Sequence, residues 1–209
     1  MLRRCTDIFL ATVGLILLSP ILVATAAAIW LTQGRPILFV QERAGLNGAP
    51  FRMFKFRTMR LNAEKAAGSL TFKNDARITP LGKFLRRSKL DEFPQLWNVL
   101  RGEMTIVGPR PEVMDWVARY TAEQREALSA KPGLSDPVQL LFRHEQDFLN
   151  SAREYEKLVA IKIQKQIEYI RARTIWSDII VILRTLRTML PSSPSAEELA
   201  IYESIRAQS

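Results

Sequence analysis

Histidine and cysteine are almost missing from this chain of 209 residues, which has one of each, His144 and Cys5. A lone cysteine excludes an intrachain disulfide, so nothing points to an oxidising compartment. A lone histidine excludes histidine-based metal clusters and nearly excludes a Ser-His-Asp triad. His144 by itself reads as a surface or packing residue, although its ordinary pKa suits proton transfer. Internal repeats and low-complexity blocks are also lacking. An enzyme built on this chain must work with carboxylates, basic side chains and, if it needs one, a metal ion.

The size fits one ordinary domain with a real core. A hydrophobic content of 47% is globular rather than disordered. Formal net charge is +9 and unevenly spread. Residues 32–112 hold fifteen Lys and Arg against seven Asp and Glu, whereas residues 113–209 hold thirteen of each sign. A positive field concentrated in one segment attracts anions: nucleic acid, anionic lipid or phosphorylated small molecules.

Ile8 to Leu31 is an uncharged apolar run of 24 residues. As a straight helix it would be roughly 36 Å long, enough for a hydrocarbon core of about 30 Å. Three readings compete. Arg3 and Arg4 followed by Ala24-Thr25-Ala26 resemble a signal peptide with its cleavage site, but the apolar run continues past that site. A single transmembrane crossing puts basic residues at both ends, Arg3 and Arg4 before it and Arg35, Arg43, Arg52 and Lys55 after it, against the positive-inside rule. A re-entrant helix that enters one leaflet and returns fits both the charge and Pro20, which kinks a helix near its middle. Ser19 can satisfy a carbonyl freed by that proline. The re-entrant reading is preferred, with Ser19-Pro20 as the break. The plainer alternative is that this pair kinks an ordinary span.

Further on, Ile37 to Val40 is a short strand-like run and Asn47-Gly48 a turn signal, together suggesting a β-hairpin. If that segment is extended, Lys55 and Arg57 share a face. Leu61 to Phe72 reads as a mobile loop. Pro80 to Leu90 suggests a short helix or turn carrying Arg86. The run from Pro94 to Gly102 suggests another, with proline at its start and glycine at its end. Thr121 to Gln124 is a capping-box pattern opening a helix that stops at Pro132-Gly133. Arg153 to Arg173 is helical and charged. From Trp176 the apolar residues Ile179, Ile180, Leu183, Leu186 and Leu190 recur at helical spacing, opposite Arg184 and Arg187. Core packing or a helix in the membrane interface would both explain that stripe. The expected fold is α+β and mostly helical: a membrane helix over 1–34, a small globular domain over 35–190 with a β-hairpin and interfacial amphipathic helices, and a linker with a short polar tail over 191–209.

The chemistry concentrates in SKLDEFPQLWNVLRGEMTIVGPRPE, Ser88 to Glu112. Asp91 and Glu92 stand side by side among Arg86, Arg87 and Lys89. One reading is a helix cap, since acids before a helix offset its dipole, and Ser88 to Asp91 even matches a capping-box spacing. The other is catalytic. A carboxylate can attack phosphorus, but both partners are anionic, so basic side chains must neutralise the phosphate and Mg²⁺ usually helps. Arg110, held between two prolines, can present its fork to a phosphate with little entropy loss.

In this context the chain resembles the bacterial monotopic, or polyprenol-phosphate, phosphoglycosyl transferases. The resemblance runs from about Arg3 to Leu190. It rests on Ser19-Pro20 in the apolar helix, FVQERAGLNGAPFRMFKFRTM (Phe39–Met59), RITPLGKFLRRSKLDEFPQLWNVLRGEMTIVGPRPE (Arg77–Glu112) and KPGLSDPVQLLFR (Lys131–Arg143), in that order. It implies a re-entrant helix in one leaflet of the bacterial inner membrane, with the active site facing the cytoplasm. It implies that Asp91 attacks the sugar-bearing phosphate of a UDP-sugar and expels UMP, after which polyprenol (undecaprenyl) phosphate takes the phosphosugar from Asp91. Glu92 would hold Mg²⁺, and Arg110, Arg86, Lys55, Arg57 and Arg143 would contact phosphates. That reaction would open the assembly of an exopolysaccharide, capsule, O-antigen or glycoprotein. Leu141 and Phe142 replace a common Asn-Gly, which marks the region around Arg143 as divergent. Nucleic acid is not an expected partner; membrane lipid is, and a homodimer stays open. The rivals are a membrane-anchored polyanion- or lipid-binding protein without catalysis, and a scaffold whose acids only cap a helix.

Overall fold

The computed structural model describes residues 2–61, 75–148, 152–187 and 193–207. The loop expected from Leu61 lies outside them except for Leu61 itself, as do the end of the last apolar stripe at Leu190 and the start of the expected linker.

The apolar run forms α1, Leu2–Gln33, a helix of 32 residues with Pro20 inside it. Proline has no N–H, so the carbonyl four residues back, Ile16 O, loses its partner. Ser19 Oγ donates to that carbonyl at 2.8 Å. The helix is long and apolar enough to cross a membrane, and only 11% of its apolar window is buried by the protein. It buries a narrow stripe. Ala11, Leu15 and Leu18 pack on Leu96, Val99 and Met104, while Leu22, Ala26 and Ile29 pack on Phe56 and Leu85. Phe9, Leu17, Val23 and Leu31 face outward.

Polar contacts fix its first turns to the same body. Arg4 donates to Val99 O at 2.5 Å and Leu100 O at 2.7 Å. Asp7 accepts from Thr105 Oγ1 and from Ile106 N, each at 2.9 Å. Cleavage after Ala26 would discard every one of these contacts.

The expected hairpin is present. Strands β1 (Leu38–Ala44) and β2 (Pro50–Phe56) pair antiparallel from Leu38↔Phe56 to Ala44↔Pro50. Asn47 and Gly48 turn the chain at φ 54° and 79°. Helix α2 (Pro80–Arg87) opens on Thr79, whose hydroxyl accepts from Gly82 N at 2.9 Å. Helix α3 (Gln95–Arg101) ends at Gly102, φ 80°. A second sheet, which the sequence did not signal, pairs β3 (Thr105–Val107) with β4 (Gly133–Ser135) in parallel. The approach is so close that a Cβ on Gly133 would lie 2.1 Å from Gly108 N, so only glycine fits.

Helix α4 (Met114–Val117) follows. The capping box then forms as expected, with Gln124 N donating to Thr121 Oγ1 and Thr121 N to Gln124 Oε1. It opens a tight 3₁₀ segment, Gln124–Ser129, rather than an α-helix. The remaining helices are α5 (Pro137–Leu141), α6 (Glu145–Phe148), α7 (Ala152–Ala172), α8 (Ile175–Arg187) and α9 (Ala196–Ala207). Helix α7 packs on Ala44, Val117, Tyr120 and Ala127 through Val159, Ile163 and Ile167. The stripe on α8 stays largely outside: Trp176, Ile180, Leu183 and Leu186 are exposed and Val181 is buried. The end of the chain is more than a polar tail, because α9 buries Tyr202 and Ile205 against Val138, Phe142 and Leu158. The fold is therefore mostly helical, with two small sheets and an apolar N-terminal helix.

Candidate active site

A left-handed residue sets the acidic pair. Helix α2 closes at Ser88, whose hydroxyl donates back to Phe84 O. Lys89 then takes φ 59°, a conformation usually left to glycine or asparagine. The reversal leads into the 3₁₀ turn Leu90–Glu92. Neither acid caps a helix: the turn and α3 both lack a side-chain cap. No capping hydrogen bond forms, although both acids stand in the first turn of the 3₁₀ segment and offset its dipole, and Ser88 ends one helix rather than opening the next.

Asp91 is buried, and its Oδ1 has no hydrogen-bond partner. Glu92 faces the hairpin. Its Oε1 accepts from Lys55 Nζ at 3.0 Å and lies 3.7 Å from Arg110 Nη1. The two carboxylates are driven apart electrostatically. Burial pushes the Asp91 carboxyl up to about 6, helped by the Glu92 charge and opposed by Lys55, Lys89 and Arg86. Burial would raise Glu92 too, but Lys55, Lys89 and Arg110 outweigh it and hold Glu92 well below the usual carboxylate range. At neutral pH the pair is anionic inside a surplus of cations: Lys55, Arg86, Lys89 and Arg110.

Each base is held differently. Lys55 comes from β2, which is fastened to α3 by the fully buried Asn98. Its Nδ2 donates to Arg52 O at 2.7 Å and its Oδ1 accepts from Phe54 N at 3.1 Å. Arg86 Nε donates to Thr58 Oγ1 at 2.9 Å. That contact depends on α2 lying against Thr58, where a Cβ on Gly82 would stand 2.0 Å from Thr58 O. Arg110 lies on the loop after β3. Its backbone N–H donates to Asp136 Oδ2 at 2.9 Å, and Asp136 also accepts from Gln166 Nε2 and Val138 N. Between the hairpin and this loop lies a shallow cleft lined by Arg43, Lys55, Glu92, Gln95 and Arg110.

Asp91, Glu92, Lys55, Arg86 and Arg110 thus converge. Arg57 does not join them. Strand β2 ends at Phe56, so strand alternation no longer governs the next residue, and Arg57 turns to cap α1, donating to Gln33 O at 2.6 Å and Gly34 O at 3.0 Å. Arg143 lies half-buried between α5 and α6. Its divergent neighbours are explained by packing: Phe142 is fully buried, edge-on to Tyr202 of α9 at 6.2 Å. Sequence reasoning missed Asp7, Asn98 and Asp136. Each is a polar residue in an apolar or turn setting, which is a signal, but the partners that fix its role lie 26 to 99 positions away, beyond local contacts such as Val138 and Glu103.

Among the described residues no three His, Cys, Asp or Glu side chains form a metal cage. Mg²⁺ is commonly held by one or two carboxylates with the rest of its shell from water and substrate phosphate. The unpartnered Asp91 Oδ1 beside Glu92 fits such a half-site.

An apolar helix lying against a small domain, with paired carboxylates set among basic side chains beside it, suggests a membrane-associated protein. The chain belongs to the bacterial sugar transferase family, whose profile matches residues 1–192. It is 36% identical over 199 residues to the galactosyl transferase CpsE of Streptococcus agalactiae serotype III, covering 90% of this chain and 42% of that protein. It is 33% identical over 192 residues to the UDP-N-acetylgalactosamine-undecaprenyl-phosphate N-acetylgalactosaminephosphotransferase of Aeromonas hydrophila, covering 90% and 44%. With the UDP-glucose:undecaprenyl-phosphate glucose-1-phosphate transferase of Caulobacter vibrioides it shares 35% identity over 191 residues, covering 90% and 69%. The chain thus spans about two fifths of the length of the first two.

Proposed function

We propose that this protein transfers a phosphosugar from a UDP-sugar to undecaprenyl phosphate, releasing UMP. The observation that carries the reading is the buried, unpartnered Asp91 Oδ1 set among the cations Lys55, Lys89 and Arg86. A polyanion binder without chemistry has no use for such a group. The names of the relatives supply the substrate class.

In the first half-reaction an Asp91 carboxylate oxygen attacks the phosphorus that bears the sugar. The new O–P bond forms as the P–O bond to UMP breaks, and UMP leaves with the bonding pair. In the second, a phosphate oxygen of the polyprenol attacks the same phosphorus and Asp91 leaves as carboxylate. Lys55, Arg86 and Arg110 lower the repulsion between carboxylate and phosphate. Glu92, held ionised by Lys55, would share a Mg²⁺ ion with Asp91 and the substrate; that ion would withdraw charge from the phosphate oxygens.

Contacts with the same body support the membrane placement. The first turns of α1 hold Val99 and Ile106, and its last turn meets Arg57. Both ends therefore lie against one domain, which suits a re-entrant helix in one leaflet better than a crossing. Trp176 and the exposed face of α8 suit the interface, and a cytoplasmic site would meet UDP-sugars directly.

Purified protein should release UMP from at least one of a panel of UDP-sugars when given undecaprenyl phosphate and Mg²⁺. Intact-mass analysis without acceptor should show a phosphosugar adduct, and Asp91→Asn should lose both signals. Full turnover by Asp91→Asn would end the covalent role.

A further inference from the structure

The family match stops at residue 192, yet α9 beyond it is locked into the domain. It packs on Val138, Phe142 and Leu158, and several of its polar contacts hold the short helix α6. Glu198 is 2% exposed and gives both carboxylate oxygens to one residue: Oε1 accepts from His144 N, and Oε2 pairs with His144 Nδ1, each at 3.0 Å. Tyr202 Oη also donates to Glu198, at 3.1 Å. At the far end of α6, Arg206 Nη2 donates to Phe148 O at 2.9 Å, and the Phe148 ring stacks on Tyr202 with centroids 4.7 Å apart. A helix of four residues does not hold its shape alone. Here α9 grips the residue before its first turn and the carbonyl of its last.

The gripped segment is joined to the site through Asp136, which accepts from Arg110 N at 2.9 Å and also opens α5, the helix that leads into Arg143. Arg143 precedes His144, and Glu145 follows it. Glu145 pairs with Lys162 and is close enough to Arg110 to stabilise its charge. We propose that α9 is a clamp that orders Arg143 to Phe148 as one wall of the substrate site, with Glu198 as its positioning residue. Glu198 touches no substrate; it acts through the backbone and ring of His144. This rests on the phosphotransfer reading of the site. Because the wall receives the nucleotide sugar while the chemistry belongs to Asp91, the clamp governs substrate binding rather than the rate of the chemical step.

The test compares wild type, Glu198→Ala and Glu198→Gln in the full chain. With the UDP-sugar that wild type uses, Glu198→Ala should raise KM about tenfold and leave kcat within about twofold. Glu198→Gln keeps an oxygen for the His144 N–H and should recover most of the KM. Hydrogen exchange of Glu198→Ala should accelerate across residues 141–148 and stay unchanged across residues 88–112. An unchanged KM, or equal loss of kcat and KM with a general rise in exchange, would overturn the clamp. If wild type released no UMP from any UDP-sugar, the transferase reading would fall. Exchange across 141–148 would then still decide whether Glu198 orders that segment, and no change there would overturn the clamp.

Discussion

An ionised Asp91 sits in surroundings that favour its protonated form. Its carboxyl is pushed up to about 6 from an ordinary value of 3.8, with burial as the main cause. An acid whose folded pKa exceeds its unfolded one binds its proton more tightly in the native state. Its contribution to stability is therefore greatest at low pH and is lost as pH rises through about 6. Asp91→Asn, neutral at every pH, should stabilise the fold by about 1–3 kcal/mol at pH 7.5 while ending turnover. Thermal melts in detergent at pH 7.5 and 5 check this: the gain should shrink at the lower pH, and an equal gain at both would refute the burial account. For the same reason transferase activity should fall as pH drops through about 6. That the two acids stand together among basic residues was plain in the sequence, and the resemblance gave them separate roles. Their electrostatic difference was not legible, since it depends on Lys55 and Arg110 reaching Glu92 from distant segments.

At the scale of elements, the hairpin and α3 are tied together by one amide. Removing the Asn98 side chain leaves the part-buried Phe54 N and Arg52 O without that partner and frees Glu103 from its 2.7 Å contact. Asn98→Ala should cost about 2–4 kcal/mol of stability, measured by denaturant or thermal unfolding. Loss of less than 1 kcal/mol would mean that water replaces the amide. The hairpin, α2, α3, α7 and α8 could be read from turn residues, prolines and apolar spacing. The parallel pair β3–β4 could not, because strands of three residues carry no periodicity. Nor could α9, whose apolar Tyr202 and Ile205 are too few to make a stripe and matter only because Phe142 and Phe148 await them. Arg57 shows the limit of alternation: one residue past the end of a strand, it serves α1 instead of the carboxylates.

For the whole molecule, topology is the open axis of the proposal. In a Cys5→Ser background, single cysteines replacing Leu2 and Arg35 should both escape a membrane-impermeant maleimide applied to intact cells and both react after permeabilisation. Labelling of either from outside would reject the one-leaflet placement. The contacts of α1 also have a consequence in time. Arg4 and Asp7 find their partners 95 to 99 positions later in the chain, and Arg3 reaches Asp178. At roughly 5–20 residues per second of synthesis, the partners of Arg4 and Asp7 emerge about 5–20 s after α1 itself, and Asp178 later still. If α1 inserts as proposed, it would wait at the bilayer through that interval with unsatisfied charges near its start. Insertion would then be provisional until the rest of the domain closes over it, and a variant that slows the folding of residues 96–106 should lose membrane association before it loses the proposed activity.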